Sequence, residues 1–224
     1  KDPFQVASYV DGTKTMFEMT CAANATGCLP MQRGMKGPAA TLANVSEIFA
    51  LEVDGGITSQ PRSVDFVQGD SMAGGVFITV HIDDQRICDD LEYLKVGKGN
   101  YYTFFRPYHL WFLEAPISIA RAYLYRQTTL VPLIQPVADV LTVAKQDLKP
   151  GDRLDEFGGY TFYGMIDKAQ ITRELNALPV GLAPGAVIKK PVPVGGCITW
   201  SDVKLDENSR VVQLRREQDQ LDTE

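Results

Sequence analysis

The sequence contains no apolar run approaching the roughly 20 residues that cross a bilayer as a helix, so a membrane span is not expected. It has no surplus of positive charge. Its 22 Lys and Arg stand against 28 Asp and Glu, giving a formal net charge of −6 and a pI of about 5.0. That sign disfavours sequence-independent binding to nucleic acid or to an anionic membrane surface. The only histidines are His81 and His109, and the four cysteines (Cys21, Cys28, Cys88, Cys197) are scattered without a C-x-x-C pair. A structural zinc centre therefore lacks its ligand spacing, and the cysteines read as reduced thiols of a cytoplasmic protein. No signal peptide is expected, because Asp2, Asp11, Lys14 and Glu18 interrupt the first 20 residues. The sequons at Asn24 and Asn44 then read as chance matches. Also missing are a strand–G-x-G-x-x-G–helix fingerprint, a G-x-x-x-x-G-K-[ST] loop and a G-x-S-x-G elbow.

What is present is ordinary for a folded chain. Of 224 residues, 45% are hydrophobic and 22% charged, enough for one large or two small domains. The sequence starts at Lys1 and not at a methionine, which is read as a processed or excised fragment. Residues 4–27 are expected to form one helix, stopped by Gly27 and Pro30. The Gly- and Pro-rich stretch 29–41 is expected to be a loop. Asn44 or Ser46 caps a short helix through Phe49, a short helix is expected over 84–95, and Glu114–Arg126 reads as a helix with Pro116 in its first turn. Val64–Val67 and Val76–Ile82 read as strands, and Tyr101–Phe105 is an aromatic stretch after a turn at Gly97, Gly99 and Asn100. From Pro132–Pro136 onward the pattern changes. Short β-rich runs (Asp139–Ala144, Tyr160–Tyr163, Ala186–Lys189) alternate with Gly and Pro turns, as in a small all-β module. The expected fold class is α+β, with domains over 1–135 and 136–205. A charged tail over 206–224 is read as frayed chain or a solvated helix.

Asp11, Lys14 and Glu18 sit at i, i+3 and i+7, within about 60° of helical arc at ~100° per residue. They interrupt an otherwise apolar cylinder that reads as buried nearly all round. The stripe admits three readings: a satisfied ion pair of Lys14 with Asp11 or Glu18, a lysine held for proton transfer or anion binding with its pKa tuned by carboxylates, or a solvated face. Arg33-Gly-Met-Lys36-Gly-Pro38 puts two cations on a glycine-rich loop. It is either an anion site or an ordinary basic loop. Arg106-Pro-Tyr-His109, just after Tyr101-Tyr102, offers His109 as an acid or base, or as a structural histidine bonded to backbone.

Three segments carry a resemblance: Tyr9-Val-Asp-Gly-Thr-Lys-Thr-Met-Phe-Glu-Met19 continuing to Ala23-Asn-Ala-Thr-Gly27, the loop Arg33–Pro38, and Tyr101-Tyr-Thr-Phe-Phe-Arg-Pro-Tyr-His-Leu110. They resemble the middle domain of a bacterial family of homoserine-dehydrogenase-like oxidoreductases with a C-terminal SAF domain, which includes the deoxyxylulose-phosphate reductoisomerase-like enzyme. Val143–Leu154, Leu178–Ala186 and Thr199-Trp-Ser-Asp-Val203 look like the SAF (β-clip) domain itself. The resemblance implies a helix-and-sheet substrate and dimerisation domain followed by that β-clip domain. It implies a parent with an N-terminal Rossmann domain for NAD(P), no cofactor bound by this chain alone, and a homo-oligomer. It makes Lys14 the proton donor or oxyanion partner, with Asp11 and Glu18 holding it and His109 assisting. Arg33, Lys36 and Arg106 would bind a small anionic metabolite. Gly12-Thr13 matches the helix opening of homoserine dehydrogenases. Their downstream acidic pattern is absent, so homoserine is not the implied substrate. The competing readings are a sugar- or protein-binding SAF module on a dimerisation domain, and a purely structural fragment.

Overall fold

The structure is a computed structural model that describes residues 2–133 and 135–221; the last three positions of the charged tail lie outside the described residues. The fold is mixed α+β, with seven α-helices and several two-stranded sheets among the described residues. In chain order the elements are α1 (Pro3–Val10), α2 (Thr13–Thr26), β1 (Leu29–Pro30), α3 (Val45–Ile48), β2 (Ser63–Val64), β3 (Val76–His81), α4 (Gln85–Tyr93), β4 (Tyr101–Arg106), α5 (Trp111–Tyr125), β5 (Ala138–Ala144), β6 (Phe162–Lys168), α6 (Ala169–Glu174), β7 (Val187–Ile188), β8 (Val203–Lys204) and α7 (Arg210–Leu221).

Two compact units emerge. One combines Lys1–Met35 with Pro132–Glu224, and the other is Lys36–Val131. The first helices thus pack with the C-terminal β-rich part, a grouping that cuts across the ranges read from the sequence.

The first unit is built on the antiparallel ribbon β5–β6, paired from Ala138↔Lys168 to Ala144↔Phe162. All of β5 except Asp139 is buried, as the β-branched run Val140–Val143 demands of a strand covered on both faces. Helix α2 lies against this ribbon. The buried Thr13 hydroxyl accepts the Gly164 N–H at 3.0 Å. A Cβ on Gly164 would sit 3.3 Å from the Thr13 methyl and 2.8 Å from Val140 Cγ1, so glycine sets how closely helix and strand approach. At the other end of α2, the Asn24 carboxamide oxygen accepts from Val137 N (2.8 Å) and Ala138 N (3.0 Å). Its amide donates to Ala138 O (3.1 Å), so Asn24 pins α2 to the start of β5.

The second unit centres on the antiparallel ribbon β3–β4, paired from Val76↔Arg106 to His81↔Tyr101. Phe77 and Phe105 pack on a core of Ala40, Val45 and Met72. Asp84 caps α4 by accepting Arg86 N at 2.9 Å, as expected for an N-cap acid.

Four differences from the sequence reading have physical causes. The single helix over 4–27 breaks at Asp11-Gly12, because Gly12 adopts φ +83° while the Asp11 carboxylate accepts Thr13 N at 2.9 Å and starts α2 afresh. The rod is not buried all round: α1 has no buried residue and α2 buries only Thr13, Met16 and Ala23. Helix α5 starts at Trp111, so Pro116 stands inside it, where it withholds an N–H from the helical ladder. The region read as all-β contains α6; the charged tail takes the helical one of its two expected forms over α7, with Val212 buried.

Candidate functional site

The break at Gly12 separates Asp11 from the helix that carries Lys14 and Glu18, and it gives Asp11 a different cation. Lys145, on the turn after β5, donates to Asp11 Oδ2 at 2.6 Å and to the Gly159 carbonyl at 2.7 Å. Both side chains are largely buried, with 21% of Lys145 and 15% of Asp11 exposed. The pair lines a cavity of about 670 Å³ whose other walls are apolar, among them Phe4, Val10 and Tyr160. Gly158 closes one side, since any Cβ there would meet the Phe4 carbonyl at 1.8 Å.

One helical turn further, Lys14 Nζ lies 2.7 Å from Glu18 Oε1, an i,i+4 pair with both side chains about half exposed. The ammonium also sits 5.1 Å above the Tyr9 ring, within the range where the ring quadrupole attracts a cation. Of the three acids and bases on the sequence stripe, Lys14 and Glu18 are therefore together, and Asp11 is engaged elsewhere. Arg33 donates through Nε to Asp167 Oδ2 at 2.8 Å; Asp167 is buried, while 39% of the Arg33 side chain faces solvent. That leaves part of the guanidinium edge free to bind an oxyanion.

The remaining candidates belong to the second unit. The Lys36 ammonium donates to Glu52 Oε1 at 3.2 Å and to the Ile57 carbonyl. The N–H groups of Lys36 and Gly37 do face an anion, but it is the chain's own Asp65 carboxylate, at 3.1 and 2.8 Å. This concave backbone holds an internal counter-charge. Arg106 pairs with Glu114, and His109 Nδ1 lies 3.1 Å from the Gly74 carbonyl. The phenols nearby are structural. Tyr101 donates to Asp54 Oδ2 at 2.5 Å and Tyr102 to the Cys88 carbonyl at 3.2 Å. Desolvation, and then the hydrogen bond to Asp54, push the Tyr101 phenol above its ordinary pKa and keep it a neutral donor.

Sequence reasoning missed Lys145 and Asp167, the partners of Asp11 and Arg33. Each lies 134 positions from its partner, and no local spacing announces such a contact. Of the seven candidates read from the sequence, Lys14 and Arg33 are the cations in the first unit, each solvent-reachable and steadied by a carboxylate. A cation so held can stabilise negative charge growing on a substrate oxygen. The residues present do not fit a dinucleotide cradle. Ribbons β3–β4, β5–β6 and β7–β8 are antiparallel, whereas such cofactors bind at the carboxyl ends of parallel strands behind a glycine-rich turn.

Residues 1–115 match the family model described as the catalytic domain of the oxidoreductase DRL. No curated protein matches the chain. The matched range holds all seven candidates read from the sequence.

Proposed function

The chain belongs to the oxidoreductase DRL family, and from that membership we propose that it is the substrate-handling part of an NAD(P)-dependent oxidoreductase acting on a polar, phosphorylated carbonyl or hydroxyl metabolite. The observation that carries the proposal is the family match, which spans the carboxylate-held Lys14, Arg33, Lys36 and Arg106. The family suggests a nucleotide cofactor, which supplies the hydride when bound. This reading places that cofactor on a nucleotide-binding domain joined to the chain, and the C-terminal module remains the SAF-like part of the resemblance.

The chain's own residues then act on the substrate. Lys14 would stand at the substrate's oxygen, where its ammonium would hold negative charge and give up a proton. Glu18 holds the ammonium through its 2.7 Å contact. Asp11 and Lys145 act at one remove, fixing the start of α2 and so the position of Lys14. Arg33, held by Asp167 in the same unit as Lys14, binds the anionic group. The decisive experiment assays carbonyl reduction by the protein joined to its nucleotide-binding domain, with NADPH and NADH against phosphorylated carbonyl compounds. Lys14→Ala is expected to lower kcat about 10²–10⁴-fold, with partial rescue by Lys14→Arg as a charge without a transferable proton. Unchanged turnover in Lys14→Ala removes the assigned role.

The homo-oligomer is assigned to α5. Trp111, Phe112, Leu113, Ile117, Ile119, Tyr123, Leu124 and Tyr125 are each 56–74% exposed. They lie around the whole circumference of α5, so a partner covers one side of this apolar helix. A second copy of the chain is the occupant this reading commits to.

A further inference from the structure

A second cavity, of about 350 Å³, lies in the first unit between α2 and α7, away from the Asp11–Lys145 pair. Phe17 and Thr20 of α2 face Leu214 and Arg215 of α7 across it, over a floor formed by Val140 of β5 and the turn at Gly181. We propose that this cavity is a binding site for a compact, uncharged, mostly apolar molecule that carries one hydrogen-bonding group. The proposal does not depend on the oxidoreductase reading.

Three observations define the ligand. The Thr20 hydroxyl is buried and makes no hydrogen bond. A helical threonine ordinarily satisfies its hydroxyl on the carbonyl one turn back; Thr20 lines the cavity, and a turn about its χ1 would bring the unpaired hydroxyl to a ligand's hydroxyl, carbonyl or amide. The body of the ligand is apolar, because the walls are apolar and in part open to water: Phe17 is 37%, Leu214 48% and Val211 59% exposed. The volume sits at the small end of small-molecule sites, with room for about 12 heavy atoms at the ~30 Å³ that a water-sized group occupies in a liquid. The charge at the rim excludes an anion. Arg215 is held by two carboxylates, Asp139 at 2.5 Å and Asp219 at 2.8 Å, so the cluster carries a net negative charge. Burial opposes the Arg215 guanidinium charge, but those two acids keep its pKa above the ordinary value. This cavity therefore selects against the phosphorylated metabolite proposed for the catalytic site.

The test titrates the whole protein with naphthol, with methylnaphthalene, which lacks the hydroxyl, and with naphthoate, which adds a negative charge. Naphthol is expected to bind saturably, and naphthoate at least about tenfold more weakly. Thr20→Val should weaken naphthol roughly 2–10-fold, the worth of one neutral hydrogen bond, and leave methylnaphthalene unchanged. Gly181 lines the cavity and a Cβ added there meets no atom within 4 Å, so Gly181→Leu places an added side chain at the site. It should abolish binding of both neutral probes while unfolding at the same temperature as the parent. Absence of saturable naphthol binding, binding that survives Gly181→Leu, or naphthoate binding as tightly as naphthol would each overturn the proposal.

Discussion

Lys14 loses little when its partner goes, and Lys145 leaves a charge stranded. The Lys14–Glu18 side chains are 42% and 50% exposed, so their pair contributes about 0.3–0.5 kcal/mol. Asp11 is only 15% exposed, and removing Lys145 leaves its carboxylate half-desolvated. Breaking a fully buried pair costs about 3–5 kcal/mol; discounted for residual solvent, Lys145→Met should cost about 2–3 kcal/mol. Urea unfolding of Lys14→Ala and Lys145→Met should show this contrast, which makes Lys14 the cleaner probe of chemistry. The thiols separate in the same way. Burial pushes the Cys197 thiol up, Asp202 and Asp167 push it further, and Arg33 opposes them. At mildly alkaline pH, Cys197 therefore carries less thiolate than an unperturbed thiol. Disulfide-reagent labelling should find exposed Cys21 modified well before Cys197, with the fast phase lost in Cys21→Ser and kept in Cys197→Ser.

At the level of elements, the hinge between α1 and α2 rests on a left-handed residue. Gly12→Ala forces a Cβ into φ +83°, which should cost about 1–2 kcal/mol and lower the unfolding temperature by a few degrees. Helix α4 supplies a pH test. The Arg86 side chain, then the Arg86 N–H, hold the Asp84 carboxyl below its ordinary value. A depressed folded pKa gives stability that is full above that value and is lost as pH falls through the lower folded one. Acid titration should therefore melt α4 only below about pH 4, the unfolded carboxylate value, and Asp84→Asn should flatten that limb. Much of this level was legible. Val76–Ile82 announces β3 through its β-branched run and a helix is expected over 84–95, whereas the aromatic stretch Tyr101–Phe105 becomes β4 by pairing with β3. The hinge was not legible, because an isolated glycine inside a helical pattern does not declare the sign of its φ. The start of α5 was obscured because Pro116 usually marks a first turn, and α6 has only six residues. In the candidate site, Lys14 with Glu18 followed from helical spacing. Asp11 with Lys145 and Arg33 with Asp167 depend on tertiary pairing that no spacing encodes.

For the whole molecule, the α5 surface makes a mass prediction. Sedimentation equilibrium of the protein should give a multiple of 24.7 kDa, and the double substitution Ile117→Asp with Ile119→Asp should return the single-chain mass. A single-chain mass in the parent removes the self-association reading. The domain ranges follow a change of composition near Pro132–Pro136, whereas the compact units follow contacts such as Thr13 with Gly164 and Asn24 with Ala138, made across more than 110 positions of chain. That interleaving orders events on the ribosome. The unit over 36–131 can close as soon as its own residues have emerged. Helix α2 must wait for β5 and β6, a delay on the order of 5–30 seconds at the usual pace of synthesis. Throughout translation its apolar face stays uncovered, which makes this helix the segment where a chaperone would engage the nascent polypeptide.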